Sequence, residues 1–259
     1  MLRDFSSSRL LQSVLIVVTV LLLACATVVC AADDKLDTQD KQDDRWRFSI
    51  IPYVWVPSVS GKLSPAVSSG WTGGDVNVSS GNYLDNLQFA GMLDLQVDKG
   101  RWSLLVDLMY VDFSTNRWLG ETGLNAFVGE AVIGYAVYRT KCIDLTVIGG
   151  VRYATVEGEL EPGFLPVKFS KRKDFIDPVV GIRGKFELGK KWYIPYYFDI
   201  GGFSVSSDWT SQGFAGIGYH FTDLFSMVLG YRYLYYNFGD NFVKDMTLHG
   251  VALGFAFTF

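Results

Sequence analysis

Few side chains in this sequence have types and spacing suited to acid–base or nucleophilic chemistry. The two histidines are His220 and His249. A hydrolase with a serine or aspartate nucleophile needs a histidine within hydrogen-bond reach of it. His249 lies in Thr247-Leu248-His249-Gly250, where no serine stands two residues away, and the sequence has no Ser-centred elbow. The sequence therefore predicts no catalytic residue, and we expect a protein that is not an enzyme.

Metal and cofactor chemistry is equally poorly represented. Cys25 and Cys30 lie in an N-terminal apolar run, so Cys142 is the one cysteine outside that run. A single cysteine forms no internal disulfide and no cysteine-based metal site. No metal-ligand cluster or phosphate-binding loop is recognisable. We predict no metal and no cofactor, and the net charge of −4 argues against bulk affinity for nucleic acid.

The remaining chemistry lies in charged residues inside otherwise apolar segments. Glu130 and Arg152 face each other if a hairpin turns around Lys141, and opposite charges in that arrangement attract. The predicted interior network is Asp94, Asp107, Glu130, Arg152, Arg183, Asp199 and Arg232, with Asp177 and Lys185 on the same face. One interpretation is a polar pore with a charged constriction, or a proton relay. The other is a salt-bridge network that fills a small barrel as its core.

The elements that carry these charges have the pattern of β-strands. Hydrophobic residues make up 49% and aromatic residues 15% of the chain, and apolar residues recur with a period of two. Tight connections alternate with mostly longer, polar ones along the chain. This pattern predicts an all-β, antiparallel up-and-down transmembrane barrel. The ten predicted strands are 46–57, 86–98, 101–114, 122–138, 143–157, 170–187, 192–205, 209–220, 225–238 and 246–259.

Residues 58–85 leave the strand number open. They contain several glycines and Pro65, followed by the short apolar pieces Val76-Asn77-Val78 and Tyr83-Leu84. This stretch could be a large outer loop, a loop folded into the lumen, or an extra strand with a short helix. Eight or twelve strands are therefore alternatives to ten. A soluble β-sandwich is the alternative to a membrane barrel.

The final strand shows the alternation best. One face carries Phe259, Phe257, Phe255, Leu253 and Val251, and the other carries small residues such as Ala256 and Gly254. Large apolar residues outside and small residues inside are typical of lipid contact around a narrow interior. Aromatic residues at strand ends are typical of the interfacial girdles of membrane barrels. These are Trp46, Trp102, Trp192, Tyr219, Phe221 and Tyr235.

The N-terminus has the parts of a secretory signal peptide. Arg3 and Arg9 precede an apolar run, and Ala31 and Ala32 supply small residues before an acidic stretch. We predict a signal peptide at 1–32, a short disordered acidic leader at 33–45 and the barrel at 46–259. An uncleaved anchor helix and a lipoprotein signal with an acylated Cys25 are the alternatives.

The final strand ending at Phe259 resembles the assembly signal of bacterial outer-membrane barrels. With segments 46–57, 101–112 and 230–259, the chain resembles small OmpA-like and porin-like barrels of Gram-negative bacteria. The resemblance implies export, insertion by the barrel assembly machinery and residence in the outer membrane among lipid and lipopolysaccharide. It is compatible with a structural or surface-interaction barrel, a narrow diffusion channel, or a lipid-modifying enzyme, and it leaves the oligomeric state open.

A basic cluster on the predicted outer side suggests one specific contact. Lysines and an arginine there could pair with lipopolysaccharide phosphates. An ordinary solvated loop is the alternative. The residues are Lys168, Lys171, Arg172 and Lys173.

Overall fold

The computed structural model describes residues 45–63, 74–78, 87–117, 120–162, 169–238 and 243–259. The predicted signal peptide, and all of the predicted leader except Arg45, lie outside these residues. No helix among them is long and apolar enough to cross a membrane. The strands are β1 (Trp46–Leu63), β2 (Gly74–Val78), β3 (Leu87–Lys99), β4 (Trp102–Arg117), β5 (Gly120–Arg139), β6 (Ile143–Pro162), β7 (Phe169–Leu188), β8 (Trp192–Gly202), β9 (Trp209–His220), β10 (Phe225–Asn237) and β11 (Val243–Thr258).

Ten of these strands close into one antiparallel up-and-down barrel. Each strand from β3 to β11 pairs with the next along the chain, and β1 pairs with both β3 and β11. β2 pairs only with the distal part of β1, from Val59–Val78 to Leu63–Gly74 in the described residues. The prediction of ten barrel strands is confirmed, and the alternatives of eight strands, twelve strands and a two-sheet sandwich are wrong.

The structure partly answers the question about residues 58–85. Residues 58–63 continue β1, and 74–78 form the additional short strand β2. The pieces 64–73 and 79–86 lie outside the described residues, so the short helix offered as one alternative is not tested. The additional strand lies beside the end of β1 and does not enlarge the barrel.

The strands extend further than the sequence pattern predicted. The predicted polar connection 115–121 is mostly strand, because β4 and β5 pair as far as Arg117 and Gly120. β5 and β6 likewise remain paired to Gly120 and Pro162. Backbone hydrogen bonds continue wherever neighbouring strands stay in register, whereas the apolar alternation used for prediction ends where side chains cease to face lipid or core.

The two ends of the barrel differ. The tight connections β3–β4, β5–β6, β7–β8 and β9–β10 lie at one end together with Arg45 and Phe259, and this end is called the turn end here. Gly100 and Gly189 have φ angles of 58° and 84°, which a residue without a Cβ adopts at low cost. The opposite end, where β5 and β6 extend beyond most other strands, is called the far end here.

The barrel has apolar side chains outside and charged side chains inside. Val54, Ile133 and Ile217 are 58%, 58% and 56% exposed, whereas Arg152 and Asp199 are 1% and 0% exposed. A soluble protein normally buries its apolar residues and exposes its charges. The predicted assignment of faces in β4, β6, β10 and β11 agrees with this burial.

Candidate site in the barrel lumen

A cluster of charged residues closes the middle of the lumen around Arg152. Arg152 of β6 lies directly opposite Glu130 of β5, and its Nε donates to Glu130 Oε2 at 2.6 Å. Its Nη2 donates to Asp199 on β8, and its Nη1 donates to Thr210 Oγ1 at 3.1 Å. Tyr197 donates its hydroxyl proton to the second oxygen of Glu130. A buried guanidinium satisfied on three sides is the kind of pairing that makes burial of such charges tolerable.

A second cluster surrounds Arg232 of β10. Its Nη2 donates to Asp107 Oδ2 at 2.5 Å and to Gln212 Oε1 at 3.0 Å. Its Nη1 donates to the Tyr53 hydroxyl oxygen at 2.6 Å, and that hydroxyl donates to Asp107 Oδ1 at 2.6 Å. The guanidinium carbon lies 5.1 Å from the centre of the Trp55 ring, a cation–π distance. Together, the residues around Arg152 and Arg232 are called the charge layer here.

The structure leaves Asp94 and Arg183 outside the charge layer. Asp94 lies opposite Asp107, but its Oδ1 is buried without a hydrogen-bond partner among the described residues. Arg183 contacts Asp98 Oδ1 at 3.5 Å, an ion pair with a long hydrogen bond. The seven network residues therefore share one lumen, but five of them form the two clusters.

Asp177 stabilises the connection between β8 and β9. It accepts hydrogen bonds from the Ser207 amide at 2.9 Å and the Ser207 hydroxyl at 2.8 Å. These bonds hold the connection between β8 and β9, in which Phe203 and Ser204 have positive φ angles. Non-glycine residues rarely adopt that conformation, so a buried carboxylate that fixes the connection compensates for it.

The polar residues that complete the two clusters were not predicted. The charge pattern that predicts the network does not identify uncharged polar residues such as Tyr53, Tyr197, Thr210 and Gln212. Strand alternation in β1, β8 and β9 places these residues on the lumen face, and this position could have identified them. Inward polar residues next to a buried charge are candidate partners because buried charges need hydrogen bonds.

An apolar plug fills the lumen on the far side of the charge layer. Leu234 and Tyr236 follow Arg232 along β10, and Trp55 follows Tyr53 along β1, each towards the far end. Trp55, Leu234 and Tyr236 are at most 2% exposed. The plug consists of Trp55, Met92, Met109, Val111, Ala154, Phe175, Leu234, Tyr236, Phe238 and Ala252.

On the turn-end side of the charge layer the lumen is open. A cavity of about 730 Å³ lies there, and it is called the vestibule here. Asp107, Glu130 and Arg232 reach it from the charge layer, Asp94 lines it beside them, and Arg47 and Arg139 line it nearer the turn end. The lumen is thus a one-sided pocket, because the plug and charge layer close its inner end.

His220 lies in the wall of the vestibule. Its ring stacks on that of Tyr193, with centroids 4.3 Å apart, and its Nε2 is 3.7 Å from Glu187 Oε2. Ser226 lies opposite His220 in the β9–β10 ladder, but its hydroxyl bonds the Tyr193 hydroxyl at 3.0 Å. Among the described residues, His220 and Ser226 share no hydrogen bond of the kind a nucleophile and its base require.

The other predicted positions lie elsewhere in the barrel or outside the described residues. His249 faces outward, and its Nδ1 is 2.6 Å from the Tyr231 hydroxyl oxygen. Lys171, Arg172 and Lys173 lie in β7 opposite 156–158 of β6, and Lys168 lies outside the described residues. Phe259 closes the seam with β1: it exchanges two backbone hydrogen bonds with Phe48, at 2.8 and 3.0 Å. Contact with lipopolysaccharide stays a prediction.

Comparisons with known proteins were made for the whole chain. No family model matches the sequence, and no curated protein matches it. Similar solved structures include Ail, the attachment invasion locus protein of Yersinia pestis, at 9% identity and a TM-score of 0.37, covering 83% of this chain and 98% of Ail. Neisserial surface protein A has 13% identity and a TM-score of 0.36, covering 82% and 97%. The translocator domain of the autotransporter NalP from Neisseria meningitidis has 13% identity and a TM-score of 0.41, covering 92% and 95%. These structures are bacterial outer-membrane β-barrels, and this chain is likewise a closed antiparallel barrel.

Proposed function

We propose that this protein is a bacterial outer-membrane β-barrel with a closed lumen and a structural or surface-interaction role. The observation that carries the proposal is the solid middle of the lumen. Arg152, Asp199, Leu234 and Tyr236 are at most 1% exposed, and this burial in the charge layer and plug supports a filled lumen rather than an open pore. Interiors of about eight to ten strands are commonly filled by side chains.

A band of apolar side chains around the outside supports insertion in a membrane. Its members face outward from neighbouring strands and are exposed: Ile50, Val54, Leu104, Ile133, Val147, Val151, Val180, Ile182, Phe198, Ile217, Leu229 and Val251. So large an exposed apolar surface would drive a soluble protein to aggregate. In a bilayer the same surface is solvated by lipid, and the ten-strand ladder closes on itself through the pairing of β1 with β11.

Exposed aromatic side chains flank this band on both sides. Those towards the turn end include Trp46, Trp102, Tyr135, Trp192, Phe221 and Phe257, and those towards the far end include Tyr110, Trp209, Tyr231 and Tyr233. Tyrosine and tryptophan favour the boundary between hydrocarbon and water. We propose that the turn end faces the periplasm, where outer-membrane barrels have their short turns, and that the far end reaches the cell surface.

Conductance in a planar bilayer tests the closed lumen. The purified full-length protein should give no stable current steps over a range of KCl concentrations. Protease protection in vesicles verifies in parallel that the protein has inserted. The absence of current then cannot result from failed insertion. A stable ohmic step that changes when Asp107 or Arg152 is replaced would contradict the proposal.

A narrow diffusion channel is the second candidate. It is favoured by the vestibule of about 730 Å³, which already carries solvent-accessible space from the turn end to the charge layer. Movement of the charge layer and plug would be needed to complete a pore. The bilayer measurement distinguishes the two functions directly.

We propose no enzymatic activity for this barrel. The hydrogen bond of Ser226 to Tyr193 rather than His220 supports this. Unchanged lipid A in cells that overproduce the protein is the expected result, and a modified lipid A would contradict it. Outer-membrane lipid, lipopolysaccharide and the barrel assembly machinery are the partners we propose.

A further inference from the structure

One carboxylate beside the vestibule, that of Asp94, forms no ion pair among the described residues. β3 directs Asp94, Gln96 and Asp98 towards the cavity. Gln96 Nε2 donates to Asp98 Oδ2 at 2.6 Å, but Asp94 Oδ1 is buried without a hydrogen-bond partner among the described residues. A buried carboxylate oxygen without a donor is costly. A cationic group bound beside Asp94 would therefore stabilise its carboxylate.

The neighbouring cation, Arg232, makes no hydrogen bond to Asp94 among the described residues, and its buried Nε has no hydrogen-bond partner there. Asp107, the residue opposite Asp94, already binds both Arg232 and the Tyr53 hydroxyl. The guanidinium of Arg232 in turn is shared between Asp107, Gln212 and Tyr53. Asp94 thus adds a negative charge beside a pair that is already balanced.

Arg183 supplies the opposite charge within the same cavity. It extends from β7, and its side chain is 11% exposed. Its one ion pair in the described part of the chain is the 3.5 Å contact with Asp98, so most of its five donors have no acceptor. A planar guanidinium is suited to bind a carboxylate through two parallel hydrogen bonds.

The space around Asp94 and Arg183 suits a small molecule. The vestibule of about 730 Å³ falls within the range of about 300–1,000 Å³ typical of ligand pockets. Ile51, Leu105 and Phe214 add apolar surface to its wall. The exposed arginines Arg47 and Arg139 at the turn-end side disfavour a ligand that carries only positive charge. A zwitterion carries both charges. It is therefore less strongly repelled by Arg47 and Arg139, and it can pair with both Asp94 and Arg183.

We propose that the vestibule binds a small zwitterion, an amino acid or short peptide, from the turn end. Its ammonium group donates to Asp94, its carboxylate accepts from Arg183, and its apolar part lies against Ile51, Leu105 and Phe214. Binding forms no covalent bond. It places a cation beside the cavity-lining side of the Asp94 carboxylate and gives Arg183 an acceptor in addition to Asp98.

Calorimetric titration of the full-length protein in detergent micelles tests this site. Glycine, leucine and trialanine are the zwitterionic probes, and N-acetyl-leucine and leucine amide each lack one charged group. At least one zwitterion should bind, and its ammonium-blocked or carboxylate-blocked analogue should bind about tenfold more weakly. Absence of binding by all three zwitterions, or equal binding of leucine and N-acetyl-leucine, would overturn the proposal.

Two variants assign the groups. Asp94→Asn should weaken zwitterion binding about tenfold and reduce the preference for leucine over N-acetyl-leucine. Arg183→Gln should do the same for leucine over leucine amide. Asp208→Asn is the control, because Asp208 is exposed in the connection between β8 and β9 and does not line the vestibule, and the affinity of this variant should stay within about twofold of the wild type. Heat-modifiable gel mobility verifies that each variant is folded, and unchanged selectivity in a folded Asp94→Asn protein would contradict the site.

Discussion

Arg152 of β6 and Asp199 of β8 are joined by an ion pair although their strands are not neighbours in the barrel. Both side chains are fully buried, and the same guanidinium also binds Glu130 on β5. The pair therefore connects walls that the backbone ladder does not connect directly. The charge layer therefore links strands across the lumen as well as filling its middle.

Replacing Arg152 should destabilise the barrel strongly. Arg152→Met leaves Glu130 and Asp199 as buried carboxylates without their cation, and we expect a loss of about 3–5 kcal/mol in the free energy of unfolding. Urea unfolding from lipid vesicles measures it. Arg139→Met is the matched control, because the Arg139–Asp144 pair is 41% and 21% exposed and surface pairs contribute about 0–1 kcal/mol. Equal losses in both variants would contradict the role of the charge layer.

A charge placed on the middle of the outer band should oppose membrane insertion. Leu253 lies on the outward face between Val54 and Leu229, two exposed residues. Leu253→Arg should cost about 2–4 kcal/mol, because the guanidinium is placed against hydrocarbon. Thr247→Arg, nearer the far end of the same strand, should cost about 0–1 kcal/mol. Unfolding from vesicles gives both values, and the absence of this depth dependence would argue against the proposed membrane position.

Two adjacent glycines in β6 should respond differently to alanine. A Cβ on Gly150 would lie 2.0 Å from the carbonyl oxygen of Ala131, whereas a Cβ on Gly149 would have its nearest neighbour, Val179 O, at 3.9 Å. We expect Gly150→Ala to lose about 1–3 kcal/mol through overpacking, and Gly149→Ala to lose little. The temperature of the gel-mobility transition compares the two variants. A similar transition temperature for both would show that the strands separate more easily than the structure indicates.

The plug should contribute as a packed core does. Trp55 is 2% exposed and Trp102 is 60% exposed on the outer wall. Trp55→Ala should lose about 3–5 kcal/mol because it leaves a cavity in the lumen. The loss for Trp102→Ala should be smaller, since no enclosed cavity forms there. Urea unfolding in vesicles measures both, and the reverse order would contradict a tightly packed plug.

Phe259 should act through both its backbone and its ring. Its backbone exchanges two hydrogen bonds with Phe48 at the closing seam, while its ring is 67% exposed. Deleting Phe259 should lower the amount of protein assembled in the outer membrane. Phe259→Ala keeps the seam bonds and removes the ring, so it separates the seam from recognition of the ring during assembly. Assembly at the wild-type level after deletion would contradict both contributions.

The sequence alone was sufficient to predict the wall of the barrel. Alternation between residues such as Phe257 and Ala256 identifies the lipid and lumen faces, because side chains along a strand point to opposite sides. Tight turns such as Asp98-Lys99-Gly100 separate the strands, and local register places Glu130 opposite Arg152. These features depend on residues close in sequence or joined by one short hairpin.

The contents of the lumen were decided by the tertiary structure. Whether Arg152 reaches Asp199, or Arg232 reaches Tyr53, depends on the diameter of the barrel and the stagger of strands far apart in the chain. The same geometry leaves Asp94 Oδ1 without a hydrogen-bond partner in the described part of the chain and separates the plug from the vestibule. The sequence determined which residues face inward because strand alternation is local. Only closure of the barrel decided which of them meet, because contacts across the lumen are set by the shape of the whole sheet.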